Sequence, residues 1–321
     1  MTRPWMVIGA AIVAAAPAAA QPPADAGQVW KTHDIRPFTS RAGPGSERHV
    51  IDWVLQDTGY AAWHGATPAA LSATPDAVSC FHVPEMQARV ADVVARFTGD
   101  AATPHRFSLR VFGMGSPAWR GDVRPVLRPI PAATPGVQAW VMSREDAAVV
   151  LGRLRSRTDC QEPPTGAVLA ANGIPAVLSG GRTLPYAQDV AARPEAWPGW
   201  QVQTAACGEG FAIDIQPLLS GDGTAVEAIL RCRIDQVERL APVALASPSG
   251  DPGGVRVEVP QVAAVRVGER LRWPATHTLL VSLGLVPWPV PAQNGAPPSL
   301  VGETKRRDVL VVVEPRLRGG P

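Results

Sequence analysis

Two hydrophobic periods divide this chain. Up to residue 154 apolar side chains recur at helical spacing between short strands, and beyond residue 160 they recur at every second position. Val29 to Arg41 reads as a short strand followed by a turn. Gly43-Pro44-Gly45 breaks the chain, and Ser46 is placed to cap a helix carrying Val50, Trp53 and Val54 on one face. Ala77 to Val83 has the alternation of a strand, and Pro84 suits the first position of the next helix. That helix, Glu85 to Phe97, gathers Met86, Val90, Val93, Val94 and Phe97 into one stripe and turns Gln87, Arg89, Asp92 and Arg96 to water. Phe107 to Met114 follows as a strand, so residues 21–114 form a small α+β module.

Five prolines interrupt residues 115–136, which therefore serve as a linker. Beyond it Ser143 and Asp146 make a capping box with Asp in the usual Glu position, and Ala147, Val150, Leu151 and Leu154 form the buried stripe of the helix they start. In Val168 to Leu178 the central Asn172-Gly173 tolerates the positive φ of a tight hairpin. Phe211, Ile213 and Ile215 alternate with polar or small residues, and Val226, Ala228, Leu230, Cys232 and Ile234 do so on a return strand after Ser220-Gly221-Asp222-Gly223. With Val255–Val259, Thr278–Val286 and Asp308–Glu314, residues 137–318 are almost entirely β. The fold class is thus α+β, a small α/β module ahead of a mainly antiparallel β domain.

Charge and composition narrow the function. A net charge of +2 with no basic block excludes nucleic acid as a partner. Arg3, the apolar run Met6 to Ala16 and Ala18-Ala19-Ala20 form a signal peptide over residues 1–20, which sends the chain through Sec to the periplasm or outer membrane. Four cysteines in an exported chain suggest disulfides; three connectivities stand open, and the 211–234 hairpin favours Cys207 with Cys232. Gly166–Gly181 and Trp273–Gly302 carry no charge, and the proline-free Ala275–Val286 has the length of either a membrane strand or a strand buried in a soluble sheet. Trp197, Trp200 and Trp288 sit in proline-rich surroundings, as interface anchors or as caps over the core. No nucleophile elbow, phosphate loop or zinc spacing occurs, so no catalytic, metal or cofactor residues are assigned. Cys80 and His82, two apart on a strand, share a face without being placed as thiolate and base.

The order of elements from Ser143 to Arg316 resembles the secretin homology domain of bacterial outer-membrane secretins, the channels of type II and III secretion and of type IV pili. The likeness rests on the helix Ser143–Arg155, then Ala170-Ala171-Asn172-Gly173-Ile174-Pro175-Ala176, Gly180-Gly181 and Pro185-Tyr186. It continues through Gly210–Leu230 with its Asp222-Gly223 turn to the closing Arg307–Arg316 with Pro315-Arg316. Residues 77–114 are similar to the small ring-forming module that precedes the channel domain, although there is room for one such module where secretins carry several. The resemblance implies a homo-oligomer, partners among other secretion-system proteins, and a possible place in the outer membrane. It makes Asn172, Gly173, Gly180, Gly181 and Pro185 the candidate gate or pore-wall hairpin. A soluble periplasmic interaction module of the same fold, without a pore, is the alternative it leaves.

Overall fold

The computed structural model of the chain describes residues 27–65, 67–99, 105–193, 195, 200–245, 255–288 and 306–316. The signal-peptide segment lies outside them, as does Trp197. The first unit runs β1 (Val29–Asp34), α1 (Arg36–Ala42), α2 (Glu47–Thr58), β2 (Ala70–Ala73), β3 (Ala77–His82) and α3 (Pro84–Thr98). Its three strands form an antiparallel sheet with β3 in the middle. Val78 and Cys80 turn inward onto Val50, Trp53 and Val54 of α2 and Val90, Val93 and Phe97 of α3. The expected stripes are therefore the ones buried.

Three local expectations change. The turn after β1 is the helix α1, with Pro37 in its first turn where a missing N–H costs nothing. Ser46 does not cap α2: its Oγ donates instead to Gly43 O at 2.7 Å. On α3, Gln87 and Arg96 are buried rather than solvated, because each finds backbone carbonyls to satisfy. Gln87 Nε2 donates to Val29 O (2.7 Å) and Cys80 O (2.9 Å), tying α3 to two strands.

The second unit begins earlier than its sequence suggested. It comprises β4 (Arg106–Met114), α4 (Trp119–Val123), β5 (Arg128–Ile130), β6 (Gln138–Met142), α5 (Arg144–Ser156), β7 (Cys160–Gln161), β8 (Val168–Ala171), β9 (Ala176–Ala192), β10 (Trp200–Leu219), β11 (Ala225–Leu245), β12 (Val255–Pro274), β13 (Thr278–Pro287) and β14 (Arg306–Arg316). β4, assigned above to the small module, pairs along its whole length with β14, so the boundary falls before residue 106 and not at 114. Nor is 115–136 a bare linker: Trp119 and Val123 of α4 enter a core cluster, and β5 pairs with β6.

Three layers result. The central sheet runs β5-β6-β13-β14-β4-β7, with β8 also on β4. Phe112, Met114, Leu280, Leu310 and Val312 on one face meet Ala147, Val150, Leu151 and Leu154 of α5. Ser143 caps α5 as expected, its Oγ accepting Asp146 N–H at 3.0 Å. Phe107, Leu109, Val111, Val281 and Val311 on the other face meet Ile213, Ile215, Ala228 and Leu230 of the four-stranded sheet β12-β11-β10-β9. A strand covered on both faces reads as an unbroken apolar run. The uncharged stretch at Ala275–Val286 is such a strand: β13 lies between β6 and β14 and is buried along nearly all of its length.

Candidate functional site

β10, β11 and β12 have 20, 21 and 20 residues. At about 3.3 Å per residue such strands reach about 65 Å, far beyond the thickness of the core they start from. Only their inner halves form a continuous sheet. β10 and β11 pair from Leu219–Val226 outward to Gly210–Asp235 and no further. Beyond that rung, among the described residues, β10 pairs only with β9, and β11 only with β12. The sheet thus divides into two hairpin arms, and along both the buried–exposed alternation of the inner halves gives way to mostly exposed or half-exposed positions.

Glycines stand where the arms part. Gly181 and Gly210 face one another across β9 and β10. A Cβ on Gly181 would lie 2.6 Å from Glu209 O, and one on Gly210 would lie 2.5 Å from Gly180 O, so no other residue fits at this approach. Gly180 lies under the ring of Phe211, which a Cβ would meet at 2.9 Å. Phe211 in turn stacks on Trp288, ring centroids 5.1 Å apart. Trp288 is a core residue, not an interface anchor.

Two glutamates close the arms against each other. The buried Glu209 pairs with Arg182 on β9 and takes Val237 N–H of β11 at 3.2 Å, two residues beyond the last β10–β11 rung. The carboxylate occupies a donor that a longer ladder would need, and the ladder ends there. On the opposite side Glu258 of β12 accepts Ala187 N–H of β9 at 3.1 Å. The outer strands of the sheet meet at this point, so the sheet is rolled.

The candidate residues separate accordingly. Gly180 and Gly181 lie at the parting of the arms, and Pro185 lies on the β9 arm opposite Ala206. Asn172 and Gly173 are elsewhere, in a buried joint, and do not make a hairpin: β8 pairs with β4 and β9 with β10. Asn172 Oδ1 accepts Leu219 N–H at 2.7 Å, and Gly173 N–H donates to Pro217 O at 2.7 Å. Gly173 has φ +77°, and a Cβ there would stand 2.6 Å from the Phe97 ring. The dipeptide pins α3 to the root of β10, which the local sequence could not distinguish from a tight hairpin.

All four cysteines are free thiols. Cys232 stands opposite Ile213, six residues along β10 from Cys207. That offset is about 20 Å at strand spacing, far beyond disulfide reach, so the expected Cys207–Cys232 bridge is absent. The expectation failed because β10 extends 11 residues before Phe211 instead of ending there. Burial pushes the Cys80 thiol up to about 11 and the Cys232 thiol up to about 12. Cys80 is therefore a protonated core thiol, and His82 is engaged with Ala62 O and the Trp63 ring.

A polar joint that the sequence did not reveal holds the first unit to the rolled sheet. Arg96 donates to Leu219 O (2.8 Å), Leu218 O (3.3 Å) and Glu227 (3.0 Å). Glu227 also receives Arg270, which bonds Asp57 of α2 at 2.9 Å. Both guanidiniums lie over Trp53, at 5.3 and 5.7 Å from its ring. Burial raises the Glu227 carboxyl, but Arg270 and Arg96 outweigh it and hold the group below its ordinary value.

No family model matches the chain, and no curated protein matches its sequence. Among solved structures, the chain is similar to the InvG secretin domain β-barrel of the Salmonella SPI-1 injectisome at 15% identity, covering 91% of this chain and 85% of that one, with a TM-score of 0.30. It is similar to the V. cholerae type IV competence pilus secretin PilQ at 12% identity, covering 90% and 77%, with a TM-score of 0.30. Aeromonas hydrophila ExeD matches at 12% identity over 93% of this chain and 61% of that one, with a TM-score of 0.27.

Proposed function

We propose that this chain is a secretin-like envelope protein that works as an oligomer in an outer-membrane secretion or pilus channel and performs no catalysis. The supporting observation is the early end of the β10–β11 ladder at Gly210–Asp235, with both strands running ten residues further. A two-stranded ribbon is at best marginally stable in water, and a long unpaired edge invites another strand. Arms of this length are accounted for if neighbouring copies complete them. Among the described residues no helix is long and apolar enough to cross a membrane, so contact with lipid would fall to strands. In the channel reading Gly180 and Gly181 are the bend of the pore-side hairpin, with Pro185 on the moving arm, while Asn172 and Gly173 fix the root from which it moves.

The Glu258–Ala187 contact favours a second reading, in which a single chain covers its own edges and acts as a soluble periplasmic interaction module. Expression with its own leader in a Gram-negative host separates the two. Detergent-resistant multimers in the outer-membrane fraction are expected; a monomer recovered wholly in the periplasmic extract overturns the channel.

A further inference from the structure

On the α5 face of the central sheet, where α4 and the turn after it meet β5 and β6, lies a cavity of about 500 Å³. Its walls are Arg120, Arg124, Leu127, Pro129, Gln138 and Trp140. That volume falls within the ~300–1,000 Å³ of ligand sites. A second cavity of about 210 Å³ adjoins it, sharing Pro129, Gln138 and Trp140 and continuing past Ile130 and Val137. Together they make an elongated groove along the β5–β6 pair, a shape that suits an extended chain better than a compact molecule.

The charge of the groove is one-sided. Arg120 is held in place: its Nη2 donates to Ser282 Oγ at 2.8 Å and pairs with the fully buried Asp308 at 2.9 Å. Its guanidinium lies over Trp119 and Trp140, 5.2 and 5.9 Å from their rings, and Asp308 offsets its charge from beneath. Arg124 has no such counterpart. It is exposed and, among the described residues, makes no ion pair or side-chain hydrogen bond, while the neighbouring Asp122 is taken by Arg157 at 3.1 Å. No carboxylate lines either cavity. An uncompensated guanidinium therefore stands beside an indole, two apolar side chains and the exposed amide of Gln138. A guanidinium binds a carboxylate through charge-assisted hydrogen bonds. Leu127, Pro129 and Trp140 offer surface that favours burying an apolar side chain, and a primary amide can both donate to and accept from a peptide unit.

We propose that this groove binds an acidic peptide segment of a partner protein, extended and carrying a carboxylate next to an apolar side chain. The carboxylate is received by Arg124, and the apolar side chain packs on Trp140, Leu127 and Pro129. Arg120, anchored on Asp308, keeps the Trp140 ring in place and adds a second positive group at the rim. The rolled sheet and its arms lie on the opposite face of the central sheet, so the site stands whether the chain forms a channel or acts as a single copy.

Fluorescence anisotropy on the full chain tests it, with a fluorescein-labelled, C-terminally amidated hexapeptide of alternating leucine and aspartate. Saturable binding is expected below about 1 mM, weakening as salt is raised from ~0.05 to ~0.5 M. Arg124→Glu should weaken it about tenfold or more, and Arg124→Lys much less. Gln138→Glu, on the opposite wall, should weaken it severalfold. Both positions are exposed, so thermal unfolding of these variants should match the parent and separate lost binding from lost fold. No binding up to about 1 mM, or binding that Arg124→Glu leaves unchanged, overturns the site. Equal binding of a leucine–asparagine or a serine–aspartate peptide overturns the pairing of carboxylate with apolar side chain. Hexanoate that displaces the peptide at concentrations near the peptide's own shows a site for small acids and overturns the peptide.

Discussion

At the residue scale, four glycines near the parting of the arms differ in what they tolerate. Gly181→Ala and Gly210→Ala each push a methyl into backbone, and each should cost about 1–3 kcal/mol in denaturant unfolding. Nothing lies within 4 Å of a Cβ on Gly208, so Gly208→Ala should be neutral or stabilising by up to about 1 kcal/mol. Equal costs at 208 and 210 would refute the close approach. Thiol reactivity gives a second check. Cys207 is the half-exposed thiol of the β10 arm, while Cys80 and Cys232 are held protonated to about pH 11 and 12. Alkylation at pH 8 should therefore modify Cys207 well before either, as peptide mapping would show. The sequence displayed the glycines and cysteines but not their surroundings. It also assigned Arg96 and Gln87 to water, because a polar side chain on a stripe's flank gives no sign of the carbonyls another element will bring to it.

At the element scale, the joint between α3, α2 and the hairpin β10–β11 is electrostatic and should respond to acid. Arg96→Ala removes donors from two carbonyls and one carboxylate, a loss of about 2–3 kcal/mol, since Glu227 keeps Arg270. Glu227 and Asp57 are both held below their ordinary values: burial opposes the shift, and the arginine hydrogen bonds outweigh it. A carboxylate lowered in the folded state binds protons more readily unfolded, so its stabilisation is complete above the unfolded value near ~4.3 and is lost as pH falls through the lower folded value. Thermal stability should thus drop as pH falls below about 4.5, and less steeply in Glu227→Gln. An unchanged slope would show that the joint contributes nothing to the acid limb. The elements themselves were largely legible. α2, α3 and α5 follow their apolar stripes, and the β10–β11 hairpin turns at Ser220–Gly223, where Ser220 N–H donates to Ala225 O at 2.8 Å. Strand ends were not legible, since outside the core the alternation that marks a strand fades while the backbone stays extended.

At the scale of the whole molecule, a three-layer body carries two arms whose buried apolar side chains, Leu184 of β9 and Val255 and Val257 of β12, lie outside its three core clusters. Replacing residues 183–208 and 237–262 each with an Asn-Gly turn should leave that body folded and monomeric by light scattering. Multimers of the shortened chain would place the contact between copies elsewhere. By itself, and leaving out α1, α4, β2, β5 and β6, the sequence determined the helices α2, α3 and α5 and the inner parts of the long strands, which face of each is apolar, and that a small α+β unit precedes a β-rich one. These follow from local periodicity and turn chemistry. Tertiary structure alone decided that β4 joins β14 some two hundred residues away, that Asn172-Gly173 is a joint and not a hairpin, and that the four long strands part at Gly210. Periodicity records which side of a strand is buried. Which strand lies beside it is set by long-range packing, and where a ladder ends can hang on one carboxylate, here Glu209, reaching a distant N–H.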